Sequence, residues 1–475
     1  MGGTTTSSPD RWIESQPELD VDNDVHLKQK PVRVLSLWRF VVLSFFLTCG
    51  GPFGLEDAVG AGGVLYCLIG LVLLPFLWGI PQSLMTAELS TMMPENGGSY
   101  IWVWRALGET SGVVNAYSSL LVSLFDICLY PSLVAAYMPD SLGRIGRYAV
   151  KIILLAAVSF FNALGLDFVG LISIFLLIVT MSVFAVEIPY AVTHFQPHVW
   201  SRMPKTLDWG LMASVLLWSN TGWDALGAIA GEVSNPSKTY PLGIFLALLM
   251  SSCAYIIPII VSYSIIPDPL LWHSDAFFDA ALRVAPWMAV WMRVACTCGS
   301  IGQLNAGIAS TSRRMWAMAC DSDPMSTVTF RTLPSCMSQL STRFVTPINA
   351  LIVQFIITAL LSLADFSFLI EFEMLLNCSC LLFEFAAFMV LKYKEPDAPR
   401  PYVVPFGLKG AWAITLVKTF VVLVTFTSMI WKSPFMVLIV MSIVASMASV
   451  CKLGRWLGII DRAFDADFRL LQPLV

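Results

Sequence analysis

Long apolar segments separated by short polar stretches run through most of this chain. An apolar segment of about 20 residues is long enough to cross the hydrocarbon core of a bilayer as a helix. Counting such segments predicts an all-α polytopic membrane protein with about twelve transmembrane helices. The predicted spans are 35–61, 63–89, 111–138, 146–166, 168–193, 209–231, 240–266, 286–318, 347–365, 368–391, 411–431 and 434–454.

Two of the predicted spans contain residues that interrupt a helix. Residues 50–57 read Gly-Gly-Pro-Phe-Gly-Leu-Glu-Asp, and residues 219–224 read Ser-Asn-Thr-Gly-Trp-Asp. Pro52 has no backbone N–H, and glycine accepts backbone angles that other residues avoid. Interrupted helices in corresponding halves of a chain are typical of the substrate site of secondary transporters. The pattern predicts a five-plus-five inverted repeat in which broken helices 1 and 6 meet. A proline kink without solute contact is the alternative for the first break.

This repeat divides the chain into five predicted parts. They are a disordered cytoplasmic N-terminal tail at 1–34, a first five-helix repeat at 35–193, a second five-helix repeat at 209–391, accessory helices 11 and 12 at 411–454, and a cytoplasmic C-terminal tail at 455–475. Lys and Arg are more numerous in the loops that would lie on the side of the termini, which favours a cytoplasmic location for both ends.

The composition supports the membrane class and narrows the partners. Of the 475 residues, 57% are hydrophobic and 13% are charged, whereas roughly 25% are charged in an average soluble domain. The net charge is −4 and the basic residues are scattered, which disfavours a nucleic-acid partner. Spacings of two residues, as in Cys296-Thr-Cys298, point thiols to different helix faces, so neither a metal site nor a cofactor is expected.

Acidic residues inside the predicted spans are the candidate ligands. A carboxylate at the centre of a membrane helix costs at least about 2.5 kcal/mol unless it faces a cavity or a partner. Spacings of four, three and four residues place two polar sets each on one helix face. The sets are Ser119, Ser123, Asp126 and Tyr130 in span three, and Glu373, Asn377, Cys380 and Glu384 in span ten. For the second set, a polar helix contact near the membrane surface is an equal alternative.

These acids predict an anionic cavity between the two breaks. Few basic residues oppose them within the spans, namely Lys418 in an accessory span and Arg293 near the end of span eight. A low dielectric strengthens the attraction for a cation, and aromatic rings near the breaks either contact alkylammonium groups or only pack and gate. The predicted substrate-binding residues are Gly50, Gly51, Phe53, Gly54, Glu56, Asp126, Tyr130, Asn220, Trp223, Asp224 and Glu384. Glu56 and Asp224 are also the candidates for proton coupling.

Several motifs resemble one transporter family. Residues 50–57, 86–89 (Thr-Ala-Glu-Leu), 93–98 (Met-Pro-Glu-Asn-Gly-Gly) and 400–405 (Arg-Pro-Tyr-Val-Val-Pro) are similar to the polyamine:proton symporter branch of the amino acid–polyamine–organocation superfamily, found in plants and trypanosomatids. The resemblance covers spans one to ten and the connector that follows. It implies import of polyamines such as putrescine or spermidine, driven by a proton gradient. A cationic amino acid permease of the same superfamily is the alternative.

The resemblance also bears on the substrate. Amino acid carriers of the superfamily usually have a Gly-Ser-Gly break in span one, whose free amides hold the substrate carboxylate. Pro52 removes a donor here, which favours a ligand that carries amines alone. Ser310 and Thr311 leave sodium coupling open. We expect a plasma-membrane protein that is a monomer or a weak oligomer. An enzyme is not expected, because the four His residues lie in predicted loops and tails, and a nontransporting membrane sensor is a remote alternative.

Overall fold

A computed structural model describes residues 33–456, except residues 137, 139–141, 274, 321–331, 342 and 365. Residues 1–32 of the predicted N-terminal tail and residues 457–475 of the predicted C-terminal tail lie outside the described residues. The described part of the chain contains sixteen α-helices, and each predicted span corresponds to one helix, one interrupted helix, or two helices joined by a turn.

The first half begins with an interrupted span and continues through four more. Its helices are α1 (Leu37–Thr48), α2 (Glu56–Gly62), α3 (Val64–Leu74), α4 (Ile80–Met92), α5 (Ser99–Leu107), α6 (Glu109–Ala136), α7 (Gly143–Ala163) and α8 (Leu166–His194). Helices α3 and α4 are joined without a gap by a π-helical turn, Pro75–Gly79. Prolines at positions 75 and 81 remove backbone donors there, and π turns are frequent at functional sites.

The second half repeats this order. Its helices are α9 (Trp209–Trp218), α10 (Pro236–Ile265), α11 (Ala276–Val284), α12 (Pro286–Ala319), α13 (Ile348–Leu361) and α14 (Phe366–Lys394), followed by α15 (Gly407–Lys432) and α16 (Pro434–Trp456). A 3₁₀ segment, Trp223–Glu232, follows α9 and completes the second interrupted span. Both predicted breaks are therefore present, whereas the exact borders of the two repeats stay a prediction.

Seven of the described helices, with α3 and α4 counted as one, are long and apolar enough to cross a membrane. The other predicted spans are of three kinds. Two are interrupted, α13 and the described part of α16 are shorter apolar helices, and α12 is long but polar near its end. Most of the central residues of α6 and α14 are buried, whereas α7 exposes apolar side chains such as Ile153 and Phe160 along its outer face. The prediction of an all-α polytopic membrane protein is confirmed.

Two buried ionic clusters close the face of the bundle where α1 begins and where α12 and α14 end. Glu88 accepts hydrogen bonds from Lys392 Nζ and from the backbone N–H of Val404, both at 2.8 Å, and lies 3.1 Å from Arg400 Nε. Glu232 accepts a hydrogen bond from Arg313 Nε at 3.0 Å. In the predicted topology this is the cytoplasmic face, and buried ion pairs of this kind resist separation.

Candidate functional site

The first break, residues 49–55, is an irregular loop between α1 and α2. Gly51 and Gly54 adopt φ angles of 111° and 94°, a region of backbone conformation that residues with a Cβ atom rarely adopt. The Gly54 N–H donates a 2.6 Å hydrogen bond to Glu56 Oε2. A side chain of the protein therefore takes up one backbone donor that the missing helical turn leaves open.

The second break, residues 219–222, lies directly against the first. Gly222 has a φ angle of 92°, and a Cβ atom added there would come within 2.3 Å of the Leu47 carbonyl oxygen at the end of α1. Tyr255 of α10 connects the two breaks, because its hydroxyl lies 2.6 Å from the Ser219 carbonyl oxygen and 3.2 Å from that of Thr48. One hydroxyl proton serves two carbonyl acceptors, so Tyr255 ties both chain interruptions to α10.

A cavity of about 60 Å³ lies between the two breaks. Three carboxylates of the described residues line it: Asp126 from α6, Asp224 from the 3₁₀ segment and Glu373 from α14. Asp126 Oδ2 accepts a 2.7 Å hydrogen bond from Tyr130, and Asp224 Oδ1 accepts one of 2.7 Å from Gln82 Nε2. Glu373 is buried, and its Oε2 atom has no hydrogen-bond partner among the described residues.

The electrostatics of the cavity follow from these positions. Glu373 lies close enough to Asp126 and Asp224 for all three carboxylates to interact. Among the described residues, no Lys or Arg nitrogen forms a salt bridge within 4 Å of any of the three. A concentration of negative charge without a direct counter-ion, in a site walled by apolar helices, favours a cationic ligand.

The structure places the predicted site residues in two groups. Those that line the cavity are Gly51, Phe53, Asp126, Tyr130 and Asp224, and those that do not are Gly50, Gly54, Glu56, Asn220, Trp223 and Glu384. Glu56 is directed to the Gly54 N–H, and Asn220 donates to the Leu216 carbonyl oxygen at 2.9 Å, so each repairs a helix end. The Trp223 side chain is buried beside the cavity rather than in its wall.

Glu384 lies outside the cavity lining, further toward the C-terminal end of α14. It follows Glu373 by eleven residues on α14, which separates the two by about 16 Å along the helix axis. The predicted helix face of span ten therefore contributes to the cavity through its first two members, Glu373 and Asn377. Neither was placed among the predicted ligands, although their four-residue spacing already indicated a shared face.

Of the other lining residues, Gln303 and Tyr255 lacked a sequence signal, whereas Ser310 and Thr311 were considered only for sodium coupling. Gln303, Ser310 and Thr311 of α12 line the cavity together with Tyr255 and Trp218. An added Cβ atom at Gly50 would lie within 2.1 Å of the Gln303 side chain, so glycine at this break makes room for α12. Single polar residues in a long helix do not indicate which helix faces them, which explains why the sequence does not predict Gln303 and Tyr255.

The expectation about basic residues requires correction. Arg293 is exposed and stacks on the Phe278 ring at 4.2 Å, so it lies outside the bundle interior. Arg314 of α12 is buried instead, and its Nη1 atom donates to the Ser119 carbonyl oxygen at 2.6 Å and to Ser123 Oγ at 2.9 Å. Lys418, expected in an accessory span, is fully buried in the bundle.

Comparisons with known proteins agree with this architecture. Residues 35–445 match the model of the amino acid permease family. Polyamine transporter PUT1 of Oryza sativa subsp. japonica is 33% identical over 394 residues, covering 82% of this chain and 72% of that protein. Polyamine transporter RMV1 of Arabidopsis thaliana is 31% identical over 409 residues, covering 84% and 81%.

A more distant relative is the human cystine/glutamate transporter, 23% identical over 427 residues, which cover 82% of this chain and 79% of that protein. The family match includes both interrupted spans and every helix that contributes a carboxylate to the cavity. The resemblance that the motifs at 50–57 and 400–405 indicate is confirmed. The chain belongs to the amino acid permease family.

Proposed function

We propose that this chain imports polyamines of the putrescine and spermidine class by alternating access around the cavity, with proton symport. The observation that supports it most directly is the convergence of Asp126, Asp224 and Glu373 from three different elements on one cavity between two broken helices. A polyamine has ammonium groups joined by methylenes. The ammonium groups can pair with the separated carboxylates, and the rings of Tyr130 and Trp218 in the cavity wall can contact the alkylammonium chain. The relatives named as polyamine transporters support the same substrate class.

The first break favours an amine over an amino acid. An α-carboxylate needs backbone N–H donors at a helix terminus. Pro52 supplies none, and Glu56 already occupies the Gly54 N–H at 2.6 Å. An internal carboxylate thus occupies a donor that a substrate carboxylate would need, and the incoming molecule is recognised by its positive charges.

Asp224 and Glu56 remain our candidates for carrying the coupled proton. Both are carboxylates at the interrupted helices, the elements that alternating access must rearrange. Ser310 and Thr311, which would contribute oxygens to a sodium site, lie at the same cavity, and Ser310 Oγ donates to the Ala225 carbonyl oxygen at 3.0 Å. Proton and sodium coupling therefore need a direct comparison.

Uptake of labelled putrescine into proteoliposomes that contain the purified protein tests this proposal. We expect accumulation when an inward proton gradient is imposed and none when a sodium gradient replaces it. Competition by unlabelled spermidine, arginine and lysine then ranks the substrates. Stronger competition by arginine or lysine than by spermidine would favour the cationic amino acid permease. Absence of uptake for every one of these molecules would favour a nontransporting sensor.

We propose the plasma membrane as the location and a monomer or weak oligomer as the assembly. Surface labelling of intact cells tests the first, and the mass of the detergent-solubilised protein tests the second. In an intracellular membrane the protein would move the same substrates between the cytoplasm and an organelle, with the same chemistry at the cavity.

A further inference from the structure

Lys418 of α15 is fully buried and connects to the cavity through one side chain. Its Nζ atom donates to Gln82 Oε1 at 2.9 Å and to the Trp78 carbonyl oxygen at 3.3 Å. The Nε2 atom of the same Gln82 donates to Asp224 Oδ1 at 2.7 Å. A single amide group therefore separates the lysine nitrogen from a carboxylate that lines the cavity.

The contacts of Lys418 are ones that an ammonium group makes, although its complete burial opposes the charge. The Nζ atom lies 3.1 Å from the centre of the Trp78 ring, and contact with the face of an indole ring is attractive for a cation. Both hydrogen-bond partners are acceptors, and an ammonium group is a pure donor. Trp78 itself belongs to the π-helical turn between α3 and α4, so a local irregularity of the backbone shapes this contact.

Two other charged side chains lie near this chain of contacts. Glu384 of α14 interacts electrostatically with Asp224, with Arg314 and with Lys418. Arg314 contacts the cavity wall through Ser123 Oγ. Because the formal charges of Glu384 and Arg314 cancel, Lys418 is the basic group that opposes the three carboxylates of the cavity among the described residues. When all three carboxylates are ionised and no coupled proton is bound, one ammonium against them leaves two formal negative charges.

We propose that Lys418 is a positioning residue that sets how many positive charges the cavity accepts, and thereby favours diamines over longer polyamines. This inference rests on the proposed function. Two formal negative charges match the two ammonium groups of a diamine, whereas a third ammonium group meets the repulsion of Lys418. Gln82 transmits this effect, because it holds the Asp224 carboxylate on one side and the lysine on the other.

Replacing Lys418 by Met tests the proposal. Every ammonium group of the substrate is relieved of the repulsion, so a triamine gains more than a diamine. We expect the ratio of kcat/KM for spermidine to that for putrescine to rise roughly tenfold, the scale of one extra charge about 10 Å away at an effective dielectric constant of about 20. Lys418→Arg keeps the charge and should restore the wild-type ratio. Lys409→Met, at an exposed position of the same helix, should leave the ratio unchanged.

A second neutral variant keeps the test decisive if Lys418→Met does not reach the membrane. Lys418→Gln retains N–H donors toward Gln82 and Trp78, and should shift the ratio in the same direction. Equal losses of putrescine and spermidine transport in the neutral variants, or an unchanged ratio, would overturn the role of Lys418. If the wild-type protein transports neither amine, the proposed function fails instead, so the two failures are distinguishable.

Discussion

Replacing Asp224 by Asn removes one negative charge from the cavity with little change in shape. The Asp224 side chain accepts a 2.7 Å hydrogen bond from Gln82 Nε2 and lies in the cavity wall. An asparagine amide oxygen accepts the same hydrogen bond, so the contact with α4 survives the substitution. The variant therefore separates the charge of this residue from its packing role.

The expected magnitude follows from one lost charge contact with the substrate. At an effective dielectric constant of about 20, two charges about 4 Å apart attract by about 4 kcal/mol, and desolvation of both groups offsets part of this. Hydrogen bonds to charged groups contribute about 1.5–3 kcal/mol net. Since 1.4 kcal/mol corresponds to a factor of ten, we expect kcat/KM for putrescine to fall about 100-fold.

Initial rates of labelled putrescine uptake into proteoliposomes measure this change, normalised to the amount of folded protein by size-exclusion chromatography. Asp397→Asn provides the matched control, because this exposed carboxylate lies on the connector after α14 and far from the cavity in sequence. Its rates should equal those of the wild-type protein. Wild-type kinetics in Asp224→Asn would refute the reasoning, since they would mean that the substrate does not meet this carboxylate.

Three further substitutions test other parts of the structure. Asp126→Asn should weaken spermidine and lysine uptake to different extents, because this second carboxylate interacts with the positive charge at the far end of the substrate. Equal losses would mean that Asp126 only supports its helix. Glu88→Gln breaks a buried ion pair and should lower the apparent melting temperature in detergent by an amount that reflects about 3–5 kcal/mol. Glu395→Gln, in a partly exposed pair, should have a much smaller effect. Similar losses in the two variants would contradict a stabilising role for the buried cluster around Glu88. Gly222→Ala should abolish uptake, because the added methyl group would clash with the Leu47 carbonyl oxygen at the end of α1. Gly108→Ala, whose added methyl group has no atom within 4 Å, should leave uptake intact. Normal transport by Gly222→Ala would exclude the described contact between the breaks.

The positions of the helices were predictable because the bilayer imposes a strong constraint on sequence. Each span must satisfy its backbone hydrogen bonds internally, so apolar length and helix-breaking residues are sufficient signals. Both breaks were found in this way, from Pro52 and its glycines and from the polar run that ends in Asp224. Helices α5 and α11, which are too short to span, carry no comparable signal.

The candidate site was predictable in part, since burial of an acid in an apolar segment is costly in any fold. Asp126 and Asp224 follow from this cost. The cost of burial does not indicate at which level along a helix the cavity lies. Glu384 shares a helix face with Glu373, so the sequence predicts it as a ligand, but it lies outside the cavity lining. The partnership of Gln82 with Lys418 depends on how α4 and α15 pack, and a single sequence contains no information on that contact.

The cavity and the ionic clusters share two structural elements, from which we expect occupancy of the cavity to influence closure of the face. Helix α14 carries Glu373 at the cavity and Lys392 in the cluster about five turns away, and the 3₁₀ segment carries both Asp224 and Glu232. A ligand shifts a conformational equilibrium by its difference in affinity for the two states. We therefore expect a dication, by relieving repulsion among the carboxylates, to change the balance between states in which the contacts of Glu88 are intact and states in which they are separated.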